Sequence, residues 1–198
     1  MGRILTNYKL RAINFYARGT MKSKAKVSRD TAIDAIDILN DLMGEIMNGV
    51  DVYKHYVEDH KTGIVTFDDM AGVQRLCFTS IILALNKVRE FNKRYLRIVP
   101  QGVHRAALTQ LQEAIVARGI PEFRDHCIGH IWNLKTKQPV KHSEVMERLS
   151  VIVGGNVTVF VKWLNSTESG GTVVGILESI RDTLKEEYSV IVSEVINR

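Results

Sequence analysis

At 198 residues and a formal net charge of +5, the chain has room for one domain with its own core. Its 45% hydrophobic and 25% charged content is that of an ordinary globular protein, which excludes a chain that is disordered throughout. No apolar run reaches the length of a membrane span and the N-terminus lacks a signal-peptide core, so a cytoplasmic protein without a membrane partner is expected.

The charge is unevenly spread. Arg3, Lys9, Arg11, Arg18, Lys22, Lys24, Lys26 and Arg29 give the first 29 residues +8 with no acid, which leaves −3 for residues 30–198. Residues 1–28 therefore read as a basic arm, a short helix followed by a linker at Gly19–Lys26, able to hold a polyanion such as RNA. Residues 29–198 read as the folded domain.

From Arg29 to about Val57, Ile36, Leu39, Met43, Ile46, Val50, Tyr53 and Val57 recur at steps of three and four, which predicts a long helix with one packing seam. Asp34, Asp37, Asp41 and Glu45 fall towards water. A second long helix is expected from Asp68 to Ile98 through Met70, Val73, Cys77, Ile81, Ala84, Val88, Phe91 and Tyr95. Lys87, Arg89, Lys93, Arg94 and Arg97 near its end complement the helix dipole and could also meet phosphate. Cys77 and Cys127 lie among apolar neighbours and read as free thiols in a reducing compartment.

Pro100 is expected to open a third helix, through Leu108, Leu111 and Ile115, closing near Gly119. Pro121 opens a short fourth. Ser143 suits the N-cap of a fifth, Glu144 to Leu164, interrupted at Gly154-Gly155. Val157–Val161 has strand propensity, but its flanks favour helix. A last helix carries Val173, Leu177, Ile180, Leu184, Tyr188, Ile191 and Val195. The expectation is an all-α antiparallel bundle of four to five principal helices.

Chemistry concentrates in one stretch. Arg124, Asp125, His126 and His130 stand within seven residues, framed by Phe123, Cys127, Ile128 and Ile131. A guanidinium matches phosphate with a bidentate fork, and histidine exchanges protons near neutral pH. Together they can bind a phosphodiester and stabilise its transition state without a metal. His126 and His130, four apart, could also share a metal, but no third ligand is evident, so neither metal nor cofactor is expected. The plainer reading pairs Arg124 with an acid and leaves the histidines as caps or fillers.

Arg124, a polar residue directly after it, four further residues and then His130 resemble the signature of HEPN domains, and the two long helices before it fit that family's layout. The resemblance covers about residues 28–198 and is nearest to the abortive-infection type. It implies a metal-independent endoribonuclease of a bacterial defence or toxin–antitoxin system, acting as a homodimer with both motifs in one cleft. Arg124 and His130 would be catalytic, with Asp125 orienting the arginine. The ribose 2′-hydroxyl would attack the adjacent phosphate. His126, Trp132 and Asn133 are candidates for substrate contact.

RNA, a second copy and a cognate antitoxin protein are the implied partners. Toxins of this family that are regulated by nucleotidylation carry a tyrosine where this chain has Trp132, which puts that regulation in doubt. Trp132 could equally serve the core, a dimer interface or base stacking. The alternatives are a catalytically silent HEPN-like module binding nucleotide, RNA or a partner protein, and a helical nucleic-acid binder that works through the basic arm.

Overall fold

The computed structural model describes residues 29–128, 132–133, 137–139, 141–166 and 171–190. The basic arm lies outside them, as do Ile191 and Val195 of the expected last helix. Among the described residues the fold is all-α, with seven α-helices and a single two-stranded hairpin.

Helix α1 (Arg29–Lys61) and helix α2 (Phe67–Tyr95) form the spine. Most of the apolar seam read from the sequence is buried, with Ile36, Leu39, Ile46, Val50, Ile81, Ala84 and Val88 fully enclosed and Tyr53, Val57, Met70 and Val73 half-buried near the α1–α2 turn. Three pairings set the relative direction of the two helices. Glu45 meets Lys87, Gly49 meets Ile81, and the rings of Tyr53 and Phe78 lie 5.1 Å apart. The numbers rise along one helix as they fall along the other, so the pair is antiparallel. Thr66 starts α2 with a capping box, its hydroxyl accepting from the Asp69 amide while the Asp69 carboxylate accepts from the Thr66 amide.

Helix α3 (Val103–Ala117) begins three residues later than Pro100 would suggest. Gly102 explains the delay. Its φ of +107° is open to glycine and strained for other residues, so the chain turns there before the helix starts. Arg105 then reaches back to the carbonyls of Arg97 and Val99 in the turn after α2, with Nη2 2.6 Å from Val99 O. With its first turn tied in this way, α3 packs Leu108, Leu111 and Ile115 into the core.

The short α4 (Ile120–Phe123) runs into a π-type turn at Arg124–Ile128. Trp132–Asn133 then pairs antiparallel with Gln138–Pro139, Trp132 opposite Pro139. The single fifth helix expected from Glu144 to Leu164 is two helices, α5 (His142–Val153) and α6 (Val157–Leu164). Gly154 and Gly155 adopt φ of +75° and +70°, which ends α5 with a left-handed turn. Asn156 caps α6 by accepting from the Val159 amide. Ser143 is not the cap of α5: the helix starts one residue before it, and Lys141 takes the cap position without a side-chain bond. Val157–Val161 is helical.

Helix α7 (Val173–Glu187), capped by Thr172, packs against α1 and α3. Arg29 at the start of α1 donates to the Ser189 carbonyl just beyond the end of α7, so these helices also run antiparallel. His104 of α3 lies 3.2 Å from both the Ser179 and the Thr183 hydroxyls of α7. Phe160 of α6 meets Phe78 at 5.7 Å and Trp163 at 5.7 Å, so α6 joins the core through an aromatic cluster. No helix among the described residues is long and apolar enough to cross a membrane.

Candidate functional site

The segment before Arg124 is fixed by burial. Ile120, Pro121 and Phe123 are buried, Phe123 almost completely, and Gly119 supplies the left-handed residue that turns the chain out of α3. Pro121 stands in the first turn, where its missing N–H costs no helical bond. With alternate sides of this stretch anchored, Arg124 and Asp125 are left exposed on the turn that follows.

That turn is π-type rather than α, which the apolar spacing did not foretell. Arg124 Nη1 donates to Asp125 Oδ1 at 3.0 Å, with both side chains about half exposed. An exposed pair of this kind adds little stability, on the order of 0–1 kcal/mol. Its consequence is orientation: the carboxylate restrains one edge of the guanidinium and leaves its other N–H groups available.

His126 is bonded through Nδ1 to the Glu122 carbonyl at 2.7 Å. A carbonyl only accepts, so Nδ1 carries a proton in this contact and Nε2 is the ring nitrogen left outside it. Cys127 is partly buried, and burial pushes its thiol up from the ordinary value, with Arg148 opposing and Glu144 assisting. Both cysteines are free thiols, Cys77 being buried.

Arg124 forms one wall of an open recess of about 370 Å³ against α1 and α2. Glu45, Ser80, Leu83, Asn86, Lys87 and Glu90 line the rest. Lys87 is held at 2.5 Å by Glu45. Asn86, 4% exposed, donates from Nδ2 to Glu90 Oε1 at 3.0 Å. Its own carbonyl oxygen has no partner among the described residues. The remaining charges are Arg124 and Glu90, which share the recess without bonding to one another.

The structure therefore brings Arg124 and Asp125 together and sets His126 two residues on. His130 lies outside the described residues, and so do the side chains of Trp132 and Asn133, whose backbones form the first hairpin strand. Of the basic residues at the end of α2, Lys87 is paired to an acid and Arg94 lies over the Tyr95 ring at 5.6 Å. Asn86 and Glu90 are recess residues that periodicity passed over. The available signal was Asn86 itself, an amide set among the apolar positions of a buried helix face. Among the described residues no three His, Cys, Asp or Glu side chains gather as a metal site.

No family model matches the chain, and no curated protein matches it. Among solved structures it is similar to Vpc_cass2, an integron cassette protein from the mobile metagenome of V. paracholerae, with 27% sequence identity and a TM-score of 0.67. The likeness covers 79% of this chain and 96% of that one, so nearly the whole of the cassette protein is matched by a part of this chain.

Proposed function

We propose that the protein is a metal-independent endoribonuclease of HEPN type, acting in a bacterial defence or toxin–antitoxin system. The observation that carries this reading is the Arg124–Asp125 pair, held on an exposed π-type turn at the edge of a recess. Such turns are rare and are often found at functional sites. The likeness to a cassette protein from a mobile metagenome suits a gene that travels as cargo.

In this reading Arg124 neutralises the phosphodiester and its pentavalent transition state, and Asp125 orients the guanidinium. The 2′-hydroxyl gives up its proton to a histidine as its oxygen bonds to phosphorus. The P–O5′ bond breaks, the 5′-oxygen takes up a proton, and a 2′,3′-cyclic phosphate remains. His130 is the proton carrier assigned by the motif. His126, four residues before it, holds Nδ1 against the Glu122 carbonyl and turns Nε2 away from that bond, and Trp132 and Asn133 follow as substrate contacts. A homodimer would bring two motifs to one phosphate across a two-fold axis.

The test is incubation of the purified protein with total RNA in excess chelator. Fragments ending in 2′,3′-cyclic phosphate support the reading, and intact RNA opposes it. A second reading, a silent HEPN-like module that binds nucleotide, RNA or a partner protein, is favoured by the recess alone, since binding there needs no proton transfer.

A further inference from the structure

The recess beside Arg124 holds two opposite charges that do not satisfy each other. Lys87 and Glu45 cancel across the α1–α2 seam. Arg124 is held by Asp125, from outside the recess lining. Among the described residues Glu90 pairs with no cation, and its single side-chain bond there comes from the neutral amide of Asn86. Asn86 is anchored in the core, so that bond fixes one carboxylate oxygen while the carboxylate keeps its charge and its remaining lone pairs.

A ligand suited to this pair carries an anion at one end and N–H donors at the other. A long polyanion lying along the recess would meet Glu45 and Glu90 as well as the cations, which disfavours it. A single nucleotide fits better, with its phosphate on Arg124 and its base towards Glu90. The volume of about 370 Å³ is of the size that small-ligand pockets show. Among the bases, guanine presents two parallel N–H groups, N1–H and N2–H, on one edge. A carboxylate accepts such a pair bidentately, as it does from a guanidinium.

We infer that the recess between Arg124 and Glu90 is a nucleotide subsite for single-stranded RNA, taking a guanine by its N–H edge on Glu90 beside the phosphate on Arg124. This rests on the ribonuclease reading for its substrate class and adds the base that is read. Glu90 is a recognition residue, and Asn86 is the positioning residue that holds it. Uracil, with one N–H and two carbonyls on that edge, leaves the carboxylate facing acceptors and is disfavoured.

The experiment measures binding of the five-nucleotide RNAs UUGUU, UUAUU and UUUUU to the full chain, with fluorescence anisotropy as the readout and cleavage followed separately. UUGUU should bind about tenfold tighter than UUUUU, the lower range for a bidentate base contact. Glu90→Gln, at an exposed position where the fold tolerates change, should abolish that preference by weakening UUGUU and strengthening UUUUU, whose carbonyls no longer face a carboxylate. Arg124→Ala should weaken all three RNAs. Equal affinity for the three, a preference that survives Glu90→Gln, or no binding at all would overturn the inference. Cleavage without a guanine preference would remove the subsite and keep the nuclease. A Glu90-dependent preference without cleavage would keep the subsite and remove the nuclease.

Discussion

Gly49 faces Ile81 across the α1–α2 seam so closely that a Cβ built on the glycine would fall 2.7 Å from Ile81 Cγ1. Ile81 is fully buried and β-branched, so it has little freedom to retreat. The close approach lets the two long helices meet backbone to side chain, and it sets the register that places Lys87 beside Glu45 and builds the floor of the recess. Gly49→Ala gains about 1 kcal/mol of helix propensity and incurs about 1–3 kcal/mol of overpacking. The expected net result is a loss of up to about 2 kcal/mol.

Gly44 of α1 and Gly72 of α2 have nothing within 4 Å of a built Cβ and serve as controls. Their alanine variants should be stabilised by about 0.5–1 kcal/mol. Urea melts of the three variants check both signs. Stabilisation of Gly49→Ala equal to that of the controls would contradict the close approach.

Arg118 joins three elements. Its guanidinium lies 4.4 Å from the centroid of the Trp163 ring and 5.5 Å from that of Phe160, while Nη1 donates to the Ile152 carbonyl at 2.7 Å. Burial lowers its pKa from the usual value, but arginine keeps its charge at any working pH. Arg118→Ala removes a cation–π contact and a charged hydrogen bond to the last turn of α5, a loss of about 2–4 kcal/mol in chemical denaturation. Arg118→Lys should recover only part, because lysine cannot stack its planar fork on the indole while bonding the carbonyl.

These two contacts mark how far the sequence could be read. The all-α class and the seams of α1, α2 and α7 followed from apolar steps of three and four, since a helix with one wet face has to write its burial pattern along the chain. The break at Gly154-Gly155 was visible as well. Helix starts were less legible, because Gly102 overrides the proline before it through a backbone angle that no hydrophobic pattern records. The π-type turn escaped because Phe123, Cys127 and Ile128 satisfy helical spacing whichever hydrogen-bond ladder forms. Arg124 and Asp125 stand out in the sequence by their chemistry, and the structure pairs them. The neighbours of Glu90 and Arg118 come from tertiary register, which brings together residues 34 or more positions apart.

Stability should fall at both ends of the pH scale, with opposite causes. Burial raises the pKa of the Cys77 and Cys127 thiols and of the Tyr53 and Tyr188 hydroxyls. The folded state therefore holds these protons longer than the unfolded chain does. Their contribution is complete below the unfolded values and declines as pH rises beyond about 8.5 for the thiols and about 10 for the tyrosines. Asp182 is shifted the other way, mainly by hydrogen bonds from Arg181. Its contribution is complete above the unfolded value and is lost as pH falls below about 4. Thermal melts from pH 3 to pH 11 check this, and stability that rises steadily above pH 9 would contradict it.

Reactivity of the thiols follows from the same burial. Since only the thiolate attacks, Cys77 and Cys127 should be alkylated by iodoacetamide more slowly at pH 8 than free cysteine. Cys77, which is buried, should be slower than the partly buried Cys127. Mass spectrometry over time reads both rates, and equal rates for the two would contradict the burial difference.

If Arg124 serves phosphodiester cleavage without a metal, its loss should cost rate and spare the fold. Arg124→Ala should leave helicity unchanged, since the side chain is half exposed and bonded to Asp125 alone among the described residues. Removing its charge from the transition state should slow cleavage by about 10²–10³-fold, as loss of one oxyanion donor does elsewhere. Arg124→Lys should restore part of the rate, and His130→Ala should slow it by about 10²–10⁴-fold as loss of a general acid or base. The most direct measurement is the rate of RNA cleavage by wild type and Arg124→Ala in excess chelator, with circular dichroism matched. Wild-type cleavage should be undiminished in chelator, and cleavage by the variant at least a hundredfold slower. A folded wild type that cuts no RNA, a variant that matches it, or cleavage that chelator abolishes would contradict this.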